Sequence, residues 1–161
     1  MKNNEITSVL MVCLGNICRS PTAEGVLRHL AAQAAPPARI DIDSAGTADY
    51  HIGAPPDHRS QRAALRRGID ISGLRARQVI QNDFVRFDLI LAMDRENLRE
   101  LEAMKPANSR ASLKLFLEYA PDLNLSDVPD PYYRDSAAFE EVLDLTTAAS
   151  RGLLASLEQG A

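Results

Sequence analysis

Apolar, β-capable runs alternate with helical repeats along this chain, and that alternation restricts the fold to a parallel sheet wrapped by helices. The runs fall at residues 6–13, 40–45, 87–93 and 113–117. After the first, Pro21 stands where a helix accepts proline at its first position, and Val26, Leu27, Leu30, Ala31 and Ala34 follow at helical spacing. Asp57 and Asp94 each sit where they can cap a helix, the first running through Ala63, Ala64 and Leu65 to a stop at Gly68. Phe139, Val142, Leu143, Thr146, Leu153 and Leu157 mark the buried face of a long closing helix. The reading is an α/β fold in a single domain, residues 1–161: a four-stranded parallel sheet with helices on both faces. Right-handed crossovers gather the loops after the strands on one edge, where open α/β sheets bind ligands.

Composition narrows the functions. A net charge of −4, with both signs spread along the chain, gives no electrostatic case for nucleic acid or an anionic membrane. A substrate anion therefore needs a local cradle. The early apolar stretch is too short to span a bilayer and no signal-cleavage pattern follows it, so the chain reads as cytoplasmic, a monomer or weak homodimer. Cys13 and Cys18 are too few for a disulfide scaffold, and His29, His51 and His58 are scattered, so neither a metal nor another cofactor is expected.

The cradle is found after the first strand. Cys13-Leu14-Gly15-Asn16-Ile17-Cys18-Arg19-Ser20-Pro21 joins an apolar strand to a helix start, where backbone N–H groups and the helix dipole converge on one point. Gly15 permits a bend that a side chain obstructs, Asn16 tolerates a left-handed backbone, and Arg19 offers a planar fork for two phosphate oxygens. A thiol in that field is favoured as thiolate, the form a nucleophile requires. Ser20 can donate to the sulfur or merely cap the helix, and Cys13 taken alone could be a small buried hydrophobe at a strand end. The loop lacks both the Gly-Lys-Ser/Thr of a nucleotide-binding loop and the glycine spacing of a dinucleotide fingerprint.

This phosphate-binding loop after the first strand resembles that of the low-molecular-weight protein tyrosine phosphatases. Asp43-Ser44-Ala45-Gly46, Ala76-Arg77-Gln78, Ala92-Met93-Asp94 and Asp130-Pro131-Tyr132-Tyr133 follow in the order and spacing of that family, so the likeness spans nearly the whole chain. It implies a metal-free hydrolysis of phosphotyrosine-containing proteins through a cysteinyl-phosphate, with Cys13 as nucleophile, Arg19 as phosphate clamp and Asp130 as general acid. From the residues alone Asp130 competes with Asp122, Asp127 and Asp135 in the same long loop. The resemblance further implies that Tyr132, Tyr133 and Tyr50 wall the substrate slot, that Leu14 and Ile17 line its mouth, and that Ser44 braces the loop through Asn16. It also implies a reversible disulfide between Cys13 and Cys18, which sequence does not separate from a buried packing thiol at Cys18.

Some positions depart from the family or stay open. Leu74 stands where some relatives carry a histidine of the brace; Arg75 and Arg77 could add positive potential near the site, and spacing alone reads them as solvated surface. A thiol-coupled arsenate reductase needs further cysteines downstream, and this chain has none after Cys18. A protein arginine phosphatase on the same scaffold is the other alternative, and Ile17, where such relatives carry threonine, favours the aryl ester. A phosphoprotein-binding module has no need of Cys13 and Asp130 together.

Overall fold

Strand β1 (Thr7–Cys13) is paired on both edges and covered on both faces, so Val9, Leu10, Met11 and Val12 have no exposed surface at all. That is why it reads as a continuous apolar run rather than an alternating one. The computed structural model describes residues 6–159. On one side β1 pairs with β2 (Ile40–Gly46), from Thr7 opposite Ile40 to Cys13 opposite Gly46. On the other it pairs with β3 (Leu89–Ala92), beside which lies β4 (Ser112–Leu115). All four strands are parallel, in the order β2-β1-β3-β4.

The period-two pleat of β1 sorts its side chains into two layers. Val9, Met11 and Cys13 face α1 (Arg19–Gln33) and α5 (Ser136–Gln159), where Leu27, Val142, Ala149 and Leu153 close the larger core. Leu10 and Val12 face Phe84 of α3 (Asp83–Arg86), Phe87, and Leu101 of α4 (Arg95–Met104). Helix α2 (His58–Leu65) lies outside the first layer, packing Ala63 and Ala64 with Val26 and Leu143. The expected α/β architecture, with helices on both faces of a four-stranded parallel sheet, is the one observed.

Boundaries moved where tertiary contacts took residues away from the ladder. Phe87 and Asp88 precede β3: Phe87 ends α3, and Asp88 accepts from Ser8 N at 2.8 Å and Ser8 Oγ at 3.0 Å while pairing with Arg110. Phe116 and Leu117 leave β4 for a 3-10 turn (Phe116–Tyr119) because burial against α5 completes the core. Helix α1 begins at Arg19, so Pro21 is its third residue, still within the turn whose N–H groups need no intrahelical acceptor. Ala34 lies just past its end. Gly68 takes φ +79°, the left-handed conformation that closes the turn after α2.

Candidate active site

Parallel register carries the ends of β1, β2 and β3 to one edge, and the loop between β1 and α1 sits there, beside the point where the connections change direction. Helix α1 has no side-chain cap and no acidic residue in its first turn, so its positive end is left to the loop. Cys13 is buried at the strand end, where its Sγ accepts from Asn16 N at 3.3 Å and lies 3.0 Å from Ser20 Oγ. Asn16 turns the chain with φ 57°, a conformation its short polar side chain tolerates. Gly15 lets the loop pass close to His51: a Cβ there would meet His51 Cδ2 at 2.9 Å, and that imidazole would have to shift. At Gly46 a Cβ meets the Leu14 carbonyl oxygen at 2.6 Å, so β2 can lie against the loop only without a side chain.

Behind the loop runs a line of hydrogen bonds. Arg77 N donates to Asn16 Oδ1 at 3.0 Å, which fixes the orientation of the amide. Asn16 Nδ2 then donates to Ser20 Oγ at 2.8 Å and to Ser44 Oγ at 3.0 Å. Ser44, having accepted from Asn16, donates to Glu24 Oε1 at 2.6 Å, and Ser20 Oγ shares a hydrogen bond with the Cys13 sulfur, donating to it when that sulfur is a thiolate. Burial pushes the Glu24 carboxyl above its ordinary range, opposed by the Ser44 hydrogen bond and by the ion pair with Arg28. Arg28 also donates to the Ile42 carbonyl oxygen. Asn16 and Ser20 thus lie behind the slot rather than lining it, and they shape it through the loop.

Arg19 is almost fully buried. Burial works against its charge, but the Cys13 sulfur, Asp94 and Asp130 outweigh that and hold its pKa above the ordinary value. Its Nη1 donates to Asp94 Oδ2 at 2.6 Å and to the Val128 carbonyl oxygen at 3.1 Å. These two partners orient the guanidinium, and its Nη2 stands 3.7 Å from Asp130 Oδ2. Asp130 lies exposed between Pro129 and Pro131, with Oδ1 accepting from Tyr132 N at 3.1 Å.

Above Cys13 opens a slot of about 330 Å³, bounded by Leu14, Gly15, Ile17, Cys18 and Arg19 of the loop, by Tyr50 and His51 after β2, and by Asp130, Tyr132 and Tyr133. Tyr132 is held from behind: the Arg59 guanidinium lies 5.5 Å from its ring centre and 4.6 Å from that of Phe139. Asp57 in turn grips Arg59 through both carboxylate oxygens and donates its own N–H to the Ile17 carbonyl oxygen at 2.8 Å. Tyr133 stands edge-on to Tyr132 at 4.8 Å, and both it and Tyr50 are largely in solvent.

Cys18 and Cys13 are both free thiols. Burial, then the charge of Asp57, push Cys18 up to about 12 against a hydrogen bond with Ser60, so it is a protonated thiol at neutral pH. Among the described residues no three of His, Cys, Asp and Glu gather as a metal site.

Sequence reasoning missed Asp94, His51, Arg59 and Glu24. Asp94, which the sequence offers as a cap and as part of the Ala92-Met93-Asp94 segment, accepts from Asn97 N at 2.7 Å; its second oxygen turns to Arg19, a partner no local pattern reveals. Arg77 is a correction. It is not solvated surface: its guanidinium joins Asp43 and buried Asp83 while its N–H anchors Asn16. Arg75 is exposed, as expected. Leu74 packs with the cluster around Ile71 and Phe139, and the two ends of the brace are closed by Arg77 N and by Arg28 instead.

A buried thiol at a strand-to-helix anion cradle, flanked by a fixed guanidinium and overhung by a carboxyl group, is the constellation of a cysteine-dependent phosphomonoester hydrolase. Comparison with known proteins names the group. Residues 8–161 match the family "Low molecular weight phosphotyrosine protein phosphatase", and the chain belongs to that family. It is 46% identical over 152 residues to the low molecular weight protein-tyrosine-phosphatase YfkJ of Bacillus subtilis, covering 94% of this chain and 96% of that one. A protein tyrosine phosphatase structure from Entamoeba histolytica superposes with TM-score 0.90 at 35% identity, over 96% of this chain and 98% of that one. The Drosophila arginine phosphatase has TM-score 0.87 at 29% identity, over 93% and 97%.

Proposed function

We propose that this protein hydrolyses phosphotyrosine in proteins, in two steps and without a metal. The phosphate dianion settles among the loop N–H groups at the start of α1, and Arg19, aimed by Asp94 and Val128 O, holds its equatorial oxygens. The Cys13 thiolate attacks phosphorus, the P–O bond to the phenol breaks, and Asp130 gives its proton to the departing oxygen. Asp130, now a carboxylate, takes a proton from water as that water attacks the cysteinyl-phosphate, releasing phosphate and the thiolate. Ser20, held in place by Asn16 Nδ2, donates to the thiolate and stabilises it in both steps.

The observation that carries this reading is the floor of the slot: the Cys13 sulfur receiving Asn16 N–H and lying 3.0 Å from Ser20 Oγ, beside a buried arginine. The walls speak to the substrate. Tyr132 and Tyr133 flank the opening and Ile17 at its edge is apolar, which suits a phenyl ring better than a guanidinium leaving group. Two free thiols fit a reducing compartment, and we place the protein in the cytoplasm. The test is hydrolysis of phosphotyrosine, phosphoserine and phosphoarginine peptides in EDTA by wild type and Cys13→Ser. Cys13-dependent release selective for phosphotyrosine is expected. A preference for phosphoarginine would keep the nucleophile and overturn the substrate class.

A further inference from the structure

We infer that Arg95 is a positioning residue for the general acid: by clamping Asp127 it sets where the carboxyl group of Asp130 stands over the slot. The inference rests on the reading of Asp130 as that acid. Its basis is the way the loop before α5 is held. Residues 121–126 are all exposed, and the backbone bonds of Leu123 N to Ala120 O and Asn124 N to Pro121 O stay within a local turn, so they do not reach the site. Asp127 is where anchoring begins. Its Oδ1 accepts from Arg95 N at 3.0 Å and Nε at 3.3 Å, and its Oδ2 from Nη2 at 3.1 Å. This is a planar two-oxygen grip reinforced by a backbone N–H in the first turn of α4.

From that grip to the acid the chain has little freedom. Val128 is pinned through both backbone groups, N donating to the Met93 carbonyl oxygen at 2.8 Å and O accepting from Arg19 at 3.1 Å. Pro129 and Pro131 bracket Asp130, and a proline ring fixes its own φ and restricts the residue before it. The grip on Asp127 and the hydrogen bonds of buried Val128 together set the course of the chain into Asp130, with Asp127 holding its upstream end.

Two neighbouring residues at the start of α4 thus aim both halves of the machinery: Asp94 turns back to Arg19, and Arg95 turns outward to Asp127. An exposed ion pair of this kind contributes little to stability, and both partners are substantially solvated. Its place in the chain, three hydrogen bonds upstream of a proline-bracketed carboxyl, is what assigns it a positioning role rather than a stabilising one.

The experiment compares kcat/KM, which reports the step through departure of the leaving group, for phenyl phosphate and 2,4-dinitrophenyl phosphate. Wild type, Arg95→Met, Arg95→Lys, Asp127→Asn and Asp130→Asn are measured with inhibition by inorganic phosphate. A misplaced acid harms only the ester whose leaving group needs a proton. Arg95→Met and Asp127→Asn should lose about tenfold on phenyl phosphate, a fraction of the roughly 10²–10⁴ that a general acid supplies. On the dinitrophenyl ester they should stay within about twofold, phosphate inhibition should not move, and Arg95→Lys should recover part of the loss. Equal losses on both esters, no loss on either, or weakened phosphate inhibition overturn the inference. Asp130→Asn separates the two levels: a flat leaving-group response there overturns the acid itself, whereas a steep response in Asp130→Asn with a flat one in Arg95→Met overturns the clamp alone.

Discussion

The floor of the slot and its mouth are built in opposite ways. At the floor, Cys13, Asn16, Arg19, Ser20, Ser44 and Glu24 are all buried, and each is tied to another of them or to a neighbour by a hydrogen bond. At the mouth, Tyr50 is 69% and Tyr133 93% exposed, and Tyr133 stands edge-on to the ring of Tyr132. Buried polar groups that lose a partner cost the full desolvation of the survivor, so the floor tolerates no vacancy. Exposed rings can be exchanged with little consequence for the fold. On the proposed mechanism, chemistry belongs to the buried end and selection among substrates to the exposed one.

Removing the nucleophile puts the largest load on this contrast. Cys13→Ser should lower kcat by more than about 10⁴-fold, as deletion of a nucleophile does, while still binding phosphate or vanadate through the intact loop; calorimetric titration alongside turnover checks both halves. A variant that keeps most of its activity would sink the mechanism. Asp130→Asn comes next, with a loss of about 10²–10³-fold on phenyl phosphate and far less on activated esters. Because Asp130 is exposed, its melting temperature should hardly change.

Ser44→Ala tests whether the floor acts as one unit, although Ser44 touches no substrate. It deprives Asn16 Nδ2 of an acceptor and buried Glu24 of a donor. We expect denaturant unfolding to register a loss of about 1–3 kcal/mol, and kcat to fall by about tenfold as Asn16 ceases to direct Ser20. Full activity with reduced stability would show that the brace supports the fold without tuning the sulfur.

Cys18 sharpens the contrast within the loop itself. Its thiol lies at about 12, above the usual cysteine range, so it is protonated below that pH and becomes reactive only as pH rises toward it. In Cys13→Ser, alkylation of Cys18 by iodoacetamide at pH 8 should be on the order of 10³-fold slower than for free cysteine and should climb with pH, read by mass spectrometry. Rapid labelling at pH 8 would show that the thiol is readier to close a disulfide with Cys13 than its burial implies. The smallest effect belongs to the mouth: Tyr133→Ala should raise KM for a phosphotyrosine peptide by a few fold, leave kcat within about twofold and shift stability by less than about 0.5 kcal/mol.

Much of this architecture was legible because its causes are local. Alternating runs announced a parallel sheet, Asp57 and Asp94 announced their caps, and the left-handed turn at Asn16 followed from its side chain. The strand-loop-helix placing Cys13, Arg19 and Ser20 together lies within a single stretch of chain, so composition and spacing could describe it. Asp130 was different: among four aspartates of one loop only the resemblance selected it, and the folded chain then set its carboxyl 3.7 Å from Arg19.

What the residues alone could not disclose were contacts made by groups far apart in sequence. Arg77 reads as a surface arginine until the crossover after β2 brings its N–H onto Asn16 and its guanidinium between Asp43 and Asp83. Asp94 reads as a cap until β3, paired against β1, places its second oxygen on Arg19. Sequence periodicity determines which face of a strand or helix is buried, since that depends on the repeat of the backbone. Which buried polar group meets which depends on the register and order of the strands, and only the assembled sheet decides that.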